Sequence, residues 1–138
     1  MKRSQISARE TAKKILVIED SPVQALSLVN LLESEGLHAL CAPNAERGIR
    51  VARAQSPDLI ILDIELPKMN GLGACRVLKR DDQTKNIPII LLTAHDEIDF
   101  VKEGLDKGAV DFIPKDRFCD TVLINSIHQL GIIGSARR

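Results

Sequence analysis

Asp58-Leu59-Ile60-Ile61-Leu62-Asp63-Ile64-Glu65-Leu66-Pro67-Lys68-Met69-Asn70-Gly71 is the stretch of this sequence that decides the fold. Four bulky apolar residues precede Asp63, a run that is too short for a helix and is typical of a buried strand. The segment after Asp63 contains proline and glycine and is typical of a turn. Ligands of open parallel sheets bind at the carboxyl ends of the strands, so an acid placed there is a candidate reactive group.

Four more short apolar segments are predicted strands, and a helical pattern follows each of the five. The strands begin near residues 14, 38, 58, 87 and 109. Three predicted helices run from 22 to about 35, from 45 to about 55 and from 71 to about 79, and Ser21 and Asn44 are the predicted caps of the first two. A fourth helix follows Asp96, and a fifth lies between its cap, Asp120, and Gly131. This alternation predicts a parallel sheet with five helices on its two faces. The size of the chain and the regular spacing of the strands fit a flavodoxin-like, doubly wound five-stranded sheet of order 2-1-3-4-5.

Two helices carry unusual residues. Gly104 lies inside the fourth helix, where glycine costs about 1 kcal/mol relative to alanine, so we expect this helix to be the least stable of the five. The last helix has more apolar residues than a core requires, since the stripe Leu123, Ile127 and Leu130 would suffice. The surplus is consistent with a partner or homodimer surface and equally with a frayed apolar helix end.

Length and composition indicate one domain. The 138 residues are 44% hydrophobic, enough for one core, and a separate output or DNA-reading domain is not expected to fit. We assign residues 1–12 to a flexible N-terminal tail, 13–131 to the domain and 132–138 to a C-terminal tail.

Nineteen basic and nineteen acidic residues balance, so no net charge attracts nucleic acid or a membrane surface. No apolar run approaches the ~20 residues of a membrane span, so a cytoplasmic location is expected.

The cysteines show neither the spacing of a metal site nor that of a disulfide framework. Cys41, Cys75 and Cys119 are odd in number, far apart and without a Cys-x-x-Cys pair, so neither a disulfide framework nor a zinc site is indicated. Apolar neighbours favour an interpretation of all three as small core residues rather than reactive thiols.

The predicted strand order brings polar residues to one edge of the sheet. Glu19-Asp20, Asp63, Thr93 and Lys115 each stand at or just after the end of a strand. Neighbouring strands are about 4.8 Å apart, so Lys115 lies roughly 10 Å of sheet from Asp63, which a lysine side chain can span.

This group of residues suits phosphoryl transfer. Crowded carboxylates repel one another, and a hard cation such as Mg²⁺ would neutralise them. Asp63 can then act as a nucleophile toward a phosphoryl group. Thr93 and Lys115 are placed to donate hydrogen bonds to the phosphoryl oxygens, so that catalysis rests on positioning and charge neutralisation.

Several motifs at these positions resemble the receiver domain of two-component response regulators. The resemblance covers about residues 13–131 and rests on four groups of residues: Glu19-Asp20-Ser21-Pro22, the run from Asp63 to Gly71, the pair Thr93-Ala94, and Gly108-Ala109 leading through Phe112 to Lys115. Five such pieces in order, with the first strand included, make the resemblance specific.

The resemblance implies a role in phosphorelay signal transduction. Asp63 would accept a phosphoryl group from a sensor histidine kinase or a histidine phosphotransfer protein. Asp20, Asp63 and the backbone carbonyl of Glu65 would bind Mg²⁺, with Glu19 assisting through water. The domain would be a switch rather than an enzyme, since it would catalyse only its own phosphotransfer and autodephosphorylation.

The resemblance also implies how the signal is read. Thr93 and Phe112 would form the switch pair, and Glu65 and His95 would tune the lifetime of the phosphoryl group. The face formed by the fourth helix, the fifth strand and the fifth helix would bind a downstream protein, or a second copy of the chain.

The sequence departs from the family pattern after the fifth strand. Proline usually follows the lysine through a cis bond, but here Pro114 precedes Lys115 and Asp116 follows it. A cis bond before a residue other than proline costs about 2.5–4 kcal/mol, so we predict a trans Lys115–Asp116 bond. Phe112 also lacks the hydroxyl of the more common tyrosine, so no readout can depend on that hydrogen bond.

Three alternatives remain at this point. A pseudo-receiver has the same fold but takes no phosphate, and the chain has every residue whose loss would favour that class. The chain is also compatible with a receiver fragment of a hybrid kinase or a transcription factor. A flavodoxin-like cofactor binder is disfavoured, because the loop after the first strand is acidic and the sequence has no Trp or Tyr to stack on a ring.

Overall fold

The sheet has the predicted topology. The computed structural model describes residues 12–94, 102, 105–117 and 119–132. Within these ranges five parallel strands form one sheet of order β2-β1-β3-β4-β5. The strands are β1 (Lys14–Ile18), β2 (His38–Ala42), β3 (Leu59–Asp63), β4 (Ile89–Thr93) and β5 (Asp111–Pro114).

Four helices have bounds within the described ranges: α1 (Pro22–Ser34), α2 (Ala45–Gln55), α3 (Gly71–Arg80) and α4 (Cys119–Gln129). They match the first, second, third and last predicted helices. The predicted fourth helix falls mostly outside the described residues, although residues 102, 105 and 106 are helical. The prediction that Asp120 caps the last helix was wrong, because this helix already includes Cys119 and Asp120 lies in its first turn. A carboxylate there still interacts favourably with the helix dipole.

Polar side chains begin the first three helices. The side chains of Ser21 and Asn44 accept hydrogen bonds from backbone amides in the first turns of α1 and α2, at 3.3 and 2.8 Å, as predicted. Asn70 does the same for α3 at 2.9 Å. These caps provide acceptors for first-turn amides that have no partner within the helix.

The core consists of two apolar layers, one on each face of the sheet. Alternate residues of β1 and β3 point to opposite faces, so both strands are buried on both sides. Helices α2 and α3 cover one face, and α1 and α4 cover the other. Each fully buried large apolar side chain contributes about 1.5–3 kcal/mol, so these layers hold the strand ends in place.

Two predictions about buried residues were wrong. Cys41 is exposed, because β2 is an edge strand with a neighbour on one side. Leu130 is 37% exposed, because it lies beyond the last turn of α4. Cys75 is buried as predicted, and burial raises the pKa of its thiol to about 11.

No helix in the described ranges has the length and apolar character that a membrane crossing requires.

Replacing Gly48 with alanine should destabilise the protein by about 1–3 kcal/mol, the usual cost of overpacking a core. A Cβ at this position of α2 would overlap the side chain of Ile18, with Cγ1 at only 2.7 Å, and Ile18 is fully buried. Urea unfolding followed by circular dichroism measures the loss.

Gly73→Ala is the matched control for Gly48→Ala. Its Cβ would lie 3.3 Å from Cγ of Met69, a partly exposed and flexible side chain. We expect Gly73→Ala to be neutral, or to stabilise α3 by about 0.5–1 kcal/mol through the backbone entropy of the unfolded chain. Equal destabilisation by the two substitutions would contradict the packing argument.

Candidate functional site

Three carboxylates meet at the carboxyl end of the sheet. Glu19 and Asp20 follow β1 and Asp63 ends β3, and the two strands are neighbours. One oxygen from each side chain lies within 4.8 Å of the other two. Glu19 and Asp63 are only 4% and 3% exposed, whereas Asp20 is open to solvent. Two of the three negative charges are therefore held away from water.

Lys115 supplies a positive charge to this cluster. Its Nζ donates hydrogen bonds to Asp63 Oδ2 at 2.9 Å and to Glu19 Oε1 at 3.3 Å. The side chain spans from the end of β5 past β4 to β3, as the strand order predicted. It also donates to Oε1 of Gln24 at 2.9 Å. The sequence did not indicate Gln24, because an amide in the first turn of a helix has no distinguishing pattern.

The pKa values of Glu19 and Lys115 are both raised, but for different reasons. The pKa of Glu19 is raised, mainly because burial disfavours its charged form and also because the Asp63 charge is near; the Ser21 amide and Lys115 offset this in part. Burial alone would lower the pKa of Lys115, but its bonds and charge contacts with Asp63 and Glu19 prevail and raise it. The two carboxylates thus stabilise the charged form of Lys115.

A tight turn holds the backbone around Asp63. The amide of Gly71 donates to the carbonyl of Ile64 at 2.8 Å, and the Ile64 amide donates to the carbonyl of Leu92 at 2.9 Å. A Cβ at position 71 would overlap the Asp63 carbonyl oxygen and approach Cα of Ile64 to 2.6 Å. Glycine is therefore required here, and its close approach fixes the end of β3.

Thr93 and Glu65 are joined across the same edge. Thr93 is fully buried at the end of β4, and its hydroxyl donates to Glu65 Oε2 at 2.7 Å. The amide of Ala94 donates to Glu65 Oε1 at 3.2 Å, and the amide of Glu65 donates to Asp63 Oδ1 at 3.0 Å. The sequence indicated a modulating role for Glu65 but not this contact with Thr93.

The other predicted site residues are Phe112, on β5, and His95. Phe112 is half-buried, pairs in register with Leu91 of β4 and packs against one apolar layer of the core. The described residues contain no cis peptide bond, so the Lys115–Asp116 bond is trans, as predicted. His95 lies outside the described residues.

The acidic cluster fits a hard divalent cation. Mg²⁺ binds carboxylate and carbonyl oxygens and keeps several water molecules, so it requires few protein ligands and an opening to solvent. Glu19, Asp20 and Asp63 supply the oxygens, and exposed Asp20 lies on the open side. Three carboxylates against one ammonium leave the cluster negative, which would attract such an ion.

Comparison with known proteins identifies the family. Residues 15–127 match the family described as the response regulator receiver domain. The chain belongs to this family. It is 35% identical over 116 residues to the protein PilH of Pseudomonas aeruginosa, an alignment that covers 83% of this chain and 96% of PilH.

Other relatives are longer, and one solved receiver domain contains a metal. The chain is 42% identical to the transcriptional regulatory protein AfsQ1 of Streptomyces coelicolor over 73% of its own length but spans only 44% of AfsQ1. It also resembles the receiver domain of a sensor histidine kinase from P. aeruginosa, with a TM-score of 0.79 and 28% identity over 91% of this chain and 100% of that one. That receiver domain is described with a magnesium ion coordinated in its active-site cleft.

Proposed function

We propose that this receiver domain is a phosphoacceptor of a two-component system and that Asp63 takes the phosphoryl group. The observation that carries the proposal is the buried Asp63 carboxylate, whose Oδ2 lies 2.9 Å from Nζ of Lys115 beside two further acids. A carboxylate held in this way is a positioned nucleophile with a cation at hand for incoming negative charge. The donor would be a sensor histidine kinase or a histidine phosphotransfer protein.

The acidic cluster would hold the metal that this chemistry requires. Asp20, Asp63 and the backbone carbonyl of Glu65 are the proposed Mg²⁺ ligands, with Glu19 acting through water. When bound, Mg²⁺ neutralises negative charge on the carboxylates and on the phosphoryl group. Buried Glu19 and Asp63 keep the cluster negative, and the Ser21 amide holds Glu19 in place with a hydrogen bond to its Oε2 at 3.1 Å.

In the transfer step, an Asp63 carboxylate oxygen forms a bond to phosphorus while the bond from phosphorus to the donor breaks. The electron pair of that bond leaves with the donor group, which is an imidazole for phosphohistidine and a carboxylate for an acyl phosphate. Lys115 and Thr93 donate hydrogen bonds to the phosphoryl oxygens. The protein contributes mainly positioning and electrostatic stabilisation, and it acts as a switch rather than as an enzyme with a separate substrate.

Phosphorylation would then change a binding face. It adds about −1.5 to −2 charges and three acceptor oxygens, which draw Thr93 toward the site and let Phe112 turn inward. The face would include β5, α4 and the predicted fourth helix, where Leu105, Val110 and Val122 are exposed. A tenfold change in affinity for a downstream protein, or for a second copy of the chain, requires about 1.4 kcal/mol between the two states.

Labelling of the wild-type protein tests this proposal. Incubation with acetyl phosphate and Mg²⁺ should add one phosphoryl group, seen by intact-protein mass spectrometry, and peptide mapping should place it on Asp63. Chelation of the metal with EDTA should suppress the labelling. A folded protein that takes no label with Mg²⁺ present would instead be a pseudo-receiver, and label on another residue would also refute the assignment.

A further inference from the structure

We propose that the Glu65 carboxylate occupies the binding site for the phosphoryl oxygens in the unphosphorylated protein, and that it must leave before Asp63 can be phosphorylated. The inference rests on the proposed function, because it concerns the same site. It goes further because it names Glu65 as the group that competes with the phosphoryl oxygens for two hydrogen-bond donors at the end of β4. These donors are the Thr93 hydroxyl and the Ala94 amide.

The position of Glu65 allows it to bridge two strands. Its backbone follows β3, and its own amide is anchored to Asp63 Oδ1 at 3.0 Å. Its carboxylate extends to the end of neighbouring β4, where Oε2 accepts from the Thr93 hydroxyl at 2.7 Å and Oε1 accepts from the Ala94 amide at 3.2 Å. Both carboxylate oxygens thus accept hydrogen bonds from donors at the end of β4.

A phosphoryl group on Asp63 presents the same chemistry to the same donors. Like the carboxylate, it offers negatively charged oxygens, which form stronger hydrogen bonds than neutral acceptors. The Thr93 hydroxyl has one proton and cannot donate it to both acceptors. A phosphoryl oxygen that accepts from the buried Thr93 hydroxyl must therefore replace Glu65 Oε2 as its acceptor.

Electrostatic repulsion makes this exchange complete. A phosphoryl group and the Glu65 carboxylate are both anions, so they repel each other when they lie side by side. Glu65 is itself exposed, so its side chain can rotate into solvent without unfolding of the sheet. Glu65 therefore slows entry of the phosphoryl group, and its departure releases both donors.

Phosphorylation rates of Glu65 variants test the proposal. With acetyl phosphate and Mg²⁺, we expect Glu65→Ala to accept phosphate about tenfold faster than wild type, which corresponds to about 1.4 kcal/mol. We expect Glu65→Gln to be intermediate, since it loses the charge but keeps one acceptor oxygen. Glu33→Gln, at an exposed position of α1, is the matched control and should react like wild type.

Salt dependence separates competition from a merely structural effect. Added salt screens repulsion between anions, so the rate advantage of Glu65→Ala should shrink as ionic strength rises. A Glu65→Ala rate equal to or below that of wild type, or an advantage that salt does not change, would overturn the proposal. Glu65→Gln provides the same comparison of charge if the alanine variant does not fold.

A second measurement needs no phosphate. In ¹H–¹⁵N NMR spectra of the unphosphorylated protein, loss of the carboxylate in Glu65→Ala should shift the Ala94 amide proton upfield, while Glu33→Gln should leave it in place. An unchanged Ala94 resonance would refute the contact itself. If wild type takes no label at all, the proposed function fails, and this resonance alone decides whether Glu65 holds the donors.

Discussion

Replacement of Asp63 with asparagine should abolish labelling by acetyl phosphate, because the amide that replaces the carboxylate is not a competent nucleophile. The substitution almost preserves size and shape, so the site should remain assembled. Lys115 can still donate to the amide oxygen, and one negative charge is removed from beside buried Glu19. The expected result is the absence of a phosphorylated species in intact-protein mass spectra after an incubation that labels wild type fully.

Two controls make the loss of labelling specific. Asp82→Asn changes a carboxylate whose side chain is 92% exposed and pairs with Lys85 on the surface, so it should be labelled like wild type. Urea unfolding of Asp63→Asn should give a free energy within about 1 kcal/mol of wild type. Lys115 keeps Glu19 as a charged partner, and the loss of repulsion between Asp63 and Glu19 offsets the lost attraction to Lys115. Undiminished labelling of Asp63→Asn would transfer the acceptor role to another residue, which peptide mapping would identify.

Replacement of Lys115 with alanine should reduce the free energy of unfolding by about 2–3 kcal/mol. Removing one partner of a fully buried ion pair costs about 3–5 kcal/mol, because an uncompensated charge remains. The cost is smaller here because the Lys115 side chain is 21% exposed and water can partly replace it. Two buried carboxylates, Glu19 and Asp63, lose their shared cation, and urea unfolding at neutral pH without added metal measures the effect.

The pH dependence of this stabilisation follows from the pKa of Lys115. Burial lowers that pKa, but Asp63 and Glu19 outweigh burial and hold it above the ordinary 10.5. A raised folded-state pKa means that the stabilisation is fully present below the unfolded-state value and is lost as pH rises through the folded-state value. The difference between wild type and Lys115→Ala should therefore persist at neutral pH and decrease only above about pH 10.5.

A control and a double mutant identify the source of the loss. Lys85→Ala removes a surface pair and should cost less than about 0.5 kcal/mol. In the background of Asp63→Asn, the effect of Lys115→Ala should fall by about 1–2 kcal/mol, because the main acceptor has already lost its charge. Strictly additive effects would show that Lys115 does not stabilise the protein through the charge of Asp63.

Much of the fold could be predicted because its signals are local. Isoleucine- and leucine-rich runs indicate that three strands, β1, β3 and β4, are buried on both faces. The alternation of all five strands with helical patterns then restricts the topology. Ser21 and Asn44 indicated the starts of two helices, since a cap acts on amides two or three residues away.

The failed predictions concern ends and edges. Cys41 has apolar neighbours in sequence, but its exposure depends on β2 being at the edge of the sheet. Leu130 continues the apolar pattern of α4 beyond the point where the helix still covers the sheet. Asp120 was assigned as a cap although the helix includes the residue before it. Periodicity does not report where an element stops or which neighbours cover it.

The sequence by itself determined the parallel sheet and the set of residues at its carboxyl edge, because the alternation of elements makes the strands parallel and parallel strands end at the same edge. It did not determine how those side chains pair. Only the tertiary structure showed that Lys115 also contacts Gln24 and that Thr93 and Ala94 donate to Glu65. These partners are 28 or more residues apart, and their pairing depends on side-chain directions that no local pattern encodes.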